Sequence, residues 1–220
     1  PCNPVFIAYL LIDSRHVTLF TDDAHLDDGV RSYLAQENIV VRGYGDIDGA
    51  LRDYFEYSIL IDPQQTNALL PTRVPRRTRI VYAPSPIPVM KAVKNAAEIA
   101  GFRAAMVRDG VAMVRFLRWL YPAVQAGGVT ELTVARRLAD LRAQYPEFRG
   151  VSFDTIAAYQ EHGAIVHYEP TEATDMPLRP EGLLLLDSGA QYVDGTTDLT
   201  RTLALGPVTD EQRRVYTLVL

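Results

Sequence analysis

Three prolines stand within five residues at Ala83-Pro84-Ser85-Pro86-Ile87-Pro88, a spacing that no helix or central strand accommodates. The segment divides the chain into two parts, 1–84 and 85–220, whose patterns differ. Before it, residues 5–12 and 16–20 read as strands joined by the Asp13-Ser14 turn, and 25–37 as a helix. A third strand at 39–45, a helix at 46–57 and strands at 58–62 and 78–83 follow. Strands alternating with helices imply an α/β layer.

The second part opens with a long amphipathic helix from about Asn95 to Ala126. Its apolar positions Ile99, Phe102, Met106, Met113, Leu117 and Leu120 step by three, four or seven, which predicts one buried face. Gly127-Gly128 ends it, and Thr130 is placed to cap a helix over 131–144. Strands are then expected at 151–159, 164–169, 182–191 and 196–205, and Thr209 with Gln212 forms a capping-box start for a last helix. Helices gathered on one side of antiparallel strands make this half α+β.

With 220 residues, 48% hydrophobic and 22% charged, there is ample material for a core. The formal net charge of -5 argues against nucleic acid or an anionic membrane surface as partner. The one cysteine, Cys2, allows no intrachain disulfide and fits a reducing compartment. No apolar run reaches the roughly 20 residues of a membrane-spanning helix. The opening PCNPVF has neither an initiator methionine nor a signal-peptide pattern, and DEQRRVYTLVL stops inside a helical pattern. Both ends are expected to be cuts in a longer protein.

The chemistry concentrates in LLLLDSGAQYVDGTTDLTRTLALG, residues 183–206, where Asp187, Asp194 and Asp198 interrupt a strand-like run. Carboxylates beside such apolar residues require a positive partner. A two-residue turn at Asp194-Gly195 would set Asp198 opposite Gln191, four residues and about 13 Å along the strand from Asp187. A longer loop or bulge would set Asp187 and Asp198 directly opposite each other, the arrangement that suits a divalent cation. In both registers the two share a face, and Asp194 reads as a turn residue. From spacing alone the metal site stands level with an ordinary ion pair to Arg201 or a loop cap. An aspartic-protease use of Asp187 in Asp-Ser-Gly-Ala would need a second copy of the motif, and the chain has none. Ser188 lacks the flanking glycines of a nucleophile loop.

Other features carry bland readings. Gly43-Tyr44-Gly45-Asp46-Ile47-Asp48-Gly49 has the wrong spacing for a dinucleotide loop, and Asp46 or Asp48 is better read as an N-cap. Asp22-Asp23 and Asp27-Asp28 flank a helix start and lack the calcium-loop pattern. Arg103, Arg108, Arg115 and Arg118 read as a solvated helix face. His16 and His25 read as structural, and His162, in the loop Glu161-His162-Gly163, as solvent-facing.

DSGAQYVDGTTDLTRT closely resembles the first metal-binding hairpin of Xaa-Pro aminopeptidases, the aminopeptidase P branch of the pita-bread metallopeptidases. NPVFIAYLLI resembles that family's middle domain, and PIPVMKAVKNAAEIAGFRAAMVRDGVAM the opening of its catalytic domain. GAIVHYEP followed by LLLLDSGAQ resembles the approach to its metals. The resemblance implies that residues 1–84 are the C-terminal part of a creatinase-like middle domain. Residues 85–220 would be the first half of a pita-bread catalytic domain.

It further implies that Asp187 and Asp198 are metal ligands, Asp198 bridging two divalent ions, with manganese foremost and zinc or cobalt as alternatives. His167 corresponds to a histidine on the substrate side that steadies the reacting group or moves a proton. The implied reaction is hydrolysis of the bond between an N-terminal residue and proline by a metal-activated hydroxide. The general base and remaining ligands are expected beyond Leu220, so the chain alone would be inactive. The resemblance also implies peptide substrates, a cytoplasmic setting and a homodimer. A different class of function, an inactive pita-bread module that binds peptide or protein, remains as the alternative.

Overall fold

The computed structural model describes Cys2 and residues 5–220; Pro1, Asn3 and Pro4, the opening of the first part, lie outside the described residues. Two compact units emerge, one spanning Val5–Val93 and a second built on Lys94–Leu220.

In the first unit, β1 (Ala8–Ile12) pairs antiparallel with β2 (Val17–Thr21), Tyr9 opposite Phe20. Helix α1 (Asp28–Gln36) then returns the chain so that β3 (Ile39–Gly43) lies parallel to β2. Asp27 caps α1 by accepting from Val30 N at 2.8 Å, so the acidic pairs there serve the helix start. Helix α2 (Ile47–Arg52) ends earlier than expected. Asp46 stands at its N-cap without a side-chain capping bond, and the Asp48 carboxylate pairs with Arg52 at 2.8 Å. Strands β4 (Ser58–Ile61) and β5 (Arg79–Tyr82) form a parallel pair. Phe20, Ile47, Leu51 and Leu70 make the buried centre.

The proline segment departs from expectation. Helix α3 (Ile87–Ala92) begins within it, Pro86 standing at the N-cap and Pro88 in the first turn. The first turn of a helix accommodates proline, because its N–H groups have no intrahelical acceptor there.

The second unit is organised by α4 (Ala96–Ala126), whose first turn is closed by a reciprocal capping box between Asn95 and Glu98. Gly127, at φ 84°, turns the chain out of it. The buried face of α4 is Ala105, Asp109, Ala112, Met113, Phe116, Leu120 and Val124, whereas Ile99, Phe102 and Met106 remain 41%, 36% and 43% exposed. The expected stripe is thus turned at its first half. A charged residue, Asp109, occupies the buried row, and small residues there admit a close neighbour.

Helix α5 (Glu131–Arg142), capped by Thr130, packs Val134, Leu138 and Leu141 into the same core. The strands that follow fall into two three-stranded sheets. One has the order β11-β8-β7, from β7 (Ile156–Tyr159), β8 (Leu183–Ser188) and β11 (Leu199–Ala204). The other has the order β10-β9-β6, from β6 (Phe148–Val151), β9 (Ala190–Tyr192) and β10 (Gly195–Thr196). The expected single strand at 151–159 is therefore two strands in different sheets. Helix α6 (Asp210–Val219) starts at the Thr209–Gln212 capping box. Among the described residues no helix is long and apolar enough to cross a membrane.

The four leucines of β8 divide by the two-residue period of a strand. Leu184 and Leu186 are wholly buried against α4 and α5, and Leu183 and Leu185 are half-buried on the other face. Burying each inner leucine contributes about 1.5–3 kcal/mol. This alternation fixes which way Asp187 points: with Leu183 and Leu185, away from the helices.

The expected strand at 164–169 does not form. A 3-10 turn covers Gln160–Ala164, and an irregular loop carries residues 165–182 back to β8. The backbone there bonds within itself, Ile165 N to His162 O at 3.0 Å and Tyr168 N to Ile165 O at 3.2 Å, leaving no ladder to extend.

Candidate functional site

The acidic hairpin pairs Thr200 with Asp187 and Leu199 with Ser188 in one sheet, and Thr196 with Gln191 and Gly195 with Tyr192 in the other. Both stretches keep one register, which lies between the two expected from the sequence. The turn is Val193-Asp194, one residue earlier than Asp194-Gly195. Neither residue adopts a positive φ, so this is not the primed turn an Asp-Gly pair suggests. The continued register sets Asp198 opposite Gly189, two residues along from Asp187. Regular strand geometry on that count would make the two aspartates diagonal neighbours on one face, about 7–8 Å apart. Gly189 and Asp198 themselves lie between the strands, where the hairpin passes from one sheet to the other.

What moves the turn is helix α4. Arg108 clasps the Asp194 carboxylate with both terminal nitrogens, at 2.8 and 2.6 Å, and holds its carboxyl below the usual carboxylate range. A side chain at Gly101 would collide with the Asp194 carbonyl, and one at Gly195 would press on Ala105 at 3.0 Å. Gly195 therefore serves close packing against α4, not the turn.

A second clasp sits under the break between β8 and β9. Arg142 and Asp109, both wholly buried, form a two-point ion pair at 2.7 and 3.0 Å. Arg142 also donates to the Gly189 carbonyl at 3.3 Å and to Ser188 Oγ at 3.2 Å. Tyr192 donates its hydroxyl to Asp109 at 3.0 Å, and burial with that neighbouring charge pushes its phenol up. A side chain at Gly189 would meet the Thr197 carbonyl and Ser152 Oγ. The residues flanking Asp187 and Asp198 are thus held from the opposite side of the sheet.

The Asp187 carboxylate has no side-chain hydrogen bond or ion pair among the described residues. Its Oδ1 is buried and has no hydrogen-bond partner. A buried carboxylate oxygen left unpaired costs about 1–3 kcal/mol or more, so a cation is the natural complement. Arg201 donates to the Thr200 carbonyl at 2.7 Å, and no ion pair joins it to Asp187 or Asp198 among the described residues. Asp198 is exposed. Among the described residues, no three or more histidine, cysteine, aspartate or glutamate side chains gather where they could hold a metal. The chain provides two oxygen donors and an unmet acceptor, which fit part of a divalent site and do not complete one.

His167 lies exposed in the loop between β7 and β8, at φ 56°. His162, expected to face solvent, is instead 18% exposed, its Nδ1 2.9 Å from the buried carboxylate of Glu131. The same carboxylate accepts from Tyr168 Oη at 2.9 Å, Tyr159 N at 2.7 Å and Met176 N at 3.2 Å. Glu131, Asp109 and Arg142 escape sequence reading because their partners lie about 30 or more residues away. The one available signal was a charged residue at a core position of each helix. On the outward face of β8 and β11, a groove of about 980 Å³ runs to α6, lined by Leu185, Thr200, Thr202, Val215 and Tyr216. Neither Asp187 nor Asp198 lines it.

Comparison with known proteins gives concordant results. The model of metallopeptidase family M24 matches residues 100–220, and that of the Creatinase/Prolidase N-terminal domain matches residues 1–98. Xaa-Pro aminopeptidase 1 of Dictyostelium discoideum is 38% identical over 224 residues, covering 99% of this chain and 35% of that protein. A probable Xaa-Pro aminopeptidase P of Neurospora crassa is 34% identical over 230 residues, covering 99% and 34%. The crystal structure of X-prolyl aminopeptidase from Caenorhabditis elegans, described as a cytosolic enzyme with a di-nuclear active site, matches with a TM-score of 0.89. Identity is 30%, over 96% of this chain and 36% of that one. The Xaa-Pro dipeptidase of Bacillus anthracis, at 19% identity, a TM-score of 0.78 and coverage of 99% and 60%, shares the fold. The chain spans about a third of the length of the curated relatives it matches.

Proposed function

Because the chain belongs to metallopeptidase family M24, with the mixed α/β, pita-bread fold of that family, we propose that it supplies one side of a two-metal peptidase site. The reaction is release of an N-terminal residue from peptides whose second residue is proline. The observation that carries this reading is the buried Oδ1 of Asp187, which has no partner among the described residues.

Asp187 and Asp198 would hold two divalent ions, manganese foremost, with zinc or cobalt as alternatives. When bound, such ions supply a Lewis acid and a water acidic enough to lose a proton near neutral pH. Asp187 presents its carboxylate from a strand whose neighbours are fixed by Arg142, so little reorganisation accompanies binding. Asp198 sits beyond the turn that Arg108 clasps, on the same outward face. His167 would orient the peptide and give or take a proton at its imidazole. Substrate is a peptide with proline at its second position, not nucleic acid or a membrane surface, in keeping with the net charge of -5.

Two carboxylates alone bind a divalent ion weakly. The relatives extend to nearly three times this length, and the further ligands and the general base are assigned to residues outside these 220. On this reading the 220 residues alone are inactive, and the full-length protein is a cytoplasmic homodimer. The competing module that only binds peptide draws on the lack of a third donor among the described residues. Titrating the full-length protein with Mn²⁺ while following release of the first residue from an Xaa-Pro peptide separates the two. Release should rise with metal and stop on chelation; its absence at all metal concentrations would sink the enzyme reading.

A further inference from the structure

We propose that Glu131 is a positioning residue for His167. It holds the histidine's loop through a buried carboxylate that gathers one donor from each side of it. The inference rests on the reading that His167 meets the substrate.

Glu131 is the first residue of α5 and is wholly buried. Its carboxylate is acceptor-only, and four groups from three separate stretches of chain converge on it. Tyr159 N at the end of β7 bonds Oε1, and Met176 N bonds Oε2. Between them in sequence, His162 Nδ1 lies 2.9 and 3.1 Å from the two oxygens, and Tyr168 Oη bonds Oε2. The His162 and Tyr168 rings also stack, their centroids 4.3 Å apart. The segment from 162 to 168 is therefore a closed loop whose two ends meet on one carboxylate.

His167 is the residue just inside the second anchor, and its φ of 56° places it in the left-handed region. That conformation is uncommon outside glycine and persists only where the surroundings over-determine it. Tyr168 supplies that constraint directly: its ring is buried, its hydroxyl reaches Glu131, and Thr174 Oγ1 lies 3.2 Å away. With the hydroxyl released, the backbone at 167 is free to relax to negative φ, which swings the imidazole away from its present direction. The carboxylate touches neither metal ligand and acts on the reaction only through this geometry.

The test uses the full-length protein with Glu131→Gln, Tyr168→Phe and His167→Ala, read in two ways. In metal-free protein, hydrogen–deuterium exchange over 162–168 should quicken about tenfold or more in Glu131→Gln and less in Tyr168→Phe. In metal-loaded protein, kcat on an Xaa-Pro peptide should fall about tenfold in Glu131→Gln with KM within about twofold, again less in Tyr168→Phe. Should Glu131→Gln fail to fold, Tyr168→Phe, which removes one hydroxyl, carries both readouts. Unchanged exchange in a folded variant overturns the inference, as does faster exchange with unchanged kcat, in each case while His167→Ala is inactive. A fully active His167→Ala overturns the reading of His167 itself, and this inference with it.

Discussion

The hairpin that carries Asp187 and Asp198 and the loop that carries His167 are held in opposite ways. The hairpin belongs to two sheets and is fastened from beneath by two arginine–aspartate clasps, Arg142–Asp109 and Arg108–Asp194. The loop has no ladder; its backbone bonds locally and its ends converge on the single carboxylate of Glu131. Rigidity is thus placed around the two aspartates proposed as metal ligands. His167, proposed above to meet the substrate, sits on a segment gathered on one buried carboxylate.

The largest effect expected from this contrast is on stability. Replacing Arg142 with Met leaves Asp109 buried with only Tyr192 as partner, and should cost about 3–5 kcal/mol in denaturant unfolding. A loss below about 1 kcal/mol would mean the clasp does not secure the hairpin. The next effect has the opposite sign. Asp187→Ala removes an unpaired buried acceptor and should raise the stability of the metal-free protein by about 1 kcal/mol while abolishing activity. Asp198→Ala should also abolish activity, with stability hardly changed because that side chain is exposed. Destabilisation by Asp187→Ala in the absence of metal would show that its carboxylate has a structural partner.

The smallest effect is electrostatic and sharpens the comparison by pH. Asp194 has a folded-state pKa below its unfolded value, because Arg108 bonds it. Its contribution is present above the ordinary carboxylate range and is lost as pH falls through the lower, folded value. Arg108→Ala should therefore cost about 1 kcal/mol near neutrality and nothing in strong acid. Thermal unfolding of both proteins across pH 2–7 reads the difference; a gap that stays constant with pH would assign the loss to packing.

The same contrast explains which parts were legible in the sequence. Strand β8 was readable because its run of four leucines is a local signal, and the capping residues Thr130 and Thr209 act on the next turn of chain. The hairpin register was not, because Arg108 and Gly101, more than ninety residues from the turn by count to Asp194 in the latter case, override the Asp-Gly preference. The face of α4 was misphased since a buried aspartate reads as a polar residue until its arginine is found. His162 was misread for the same reason: its partner stands 31 residues earlier. The loop of His167 looked like a strand because Ala-Ile-Val is apolar, whereas the backbone there is set by Tyr168 reaching Glu131.

The central claim is that the outward face of the hairpin holds metal through Asp187 and Asp198. Calorimetric titration of Mn²⁺ into metal-free full-length protein, wild type beside Asp187→Ala, tests it most directly. The account predicts two ions bound per wild-type chain and the loss of at least one in the variant. Identical stoichiometry and affinity in the two proteins would contradict it.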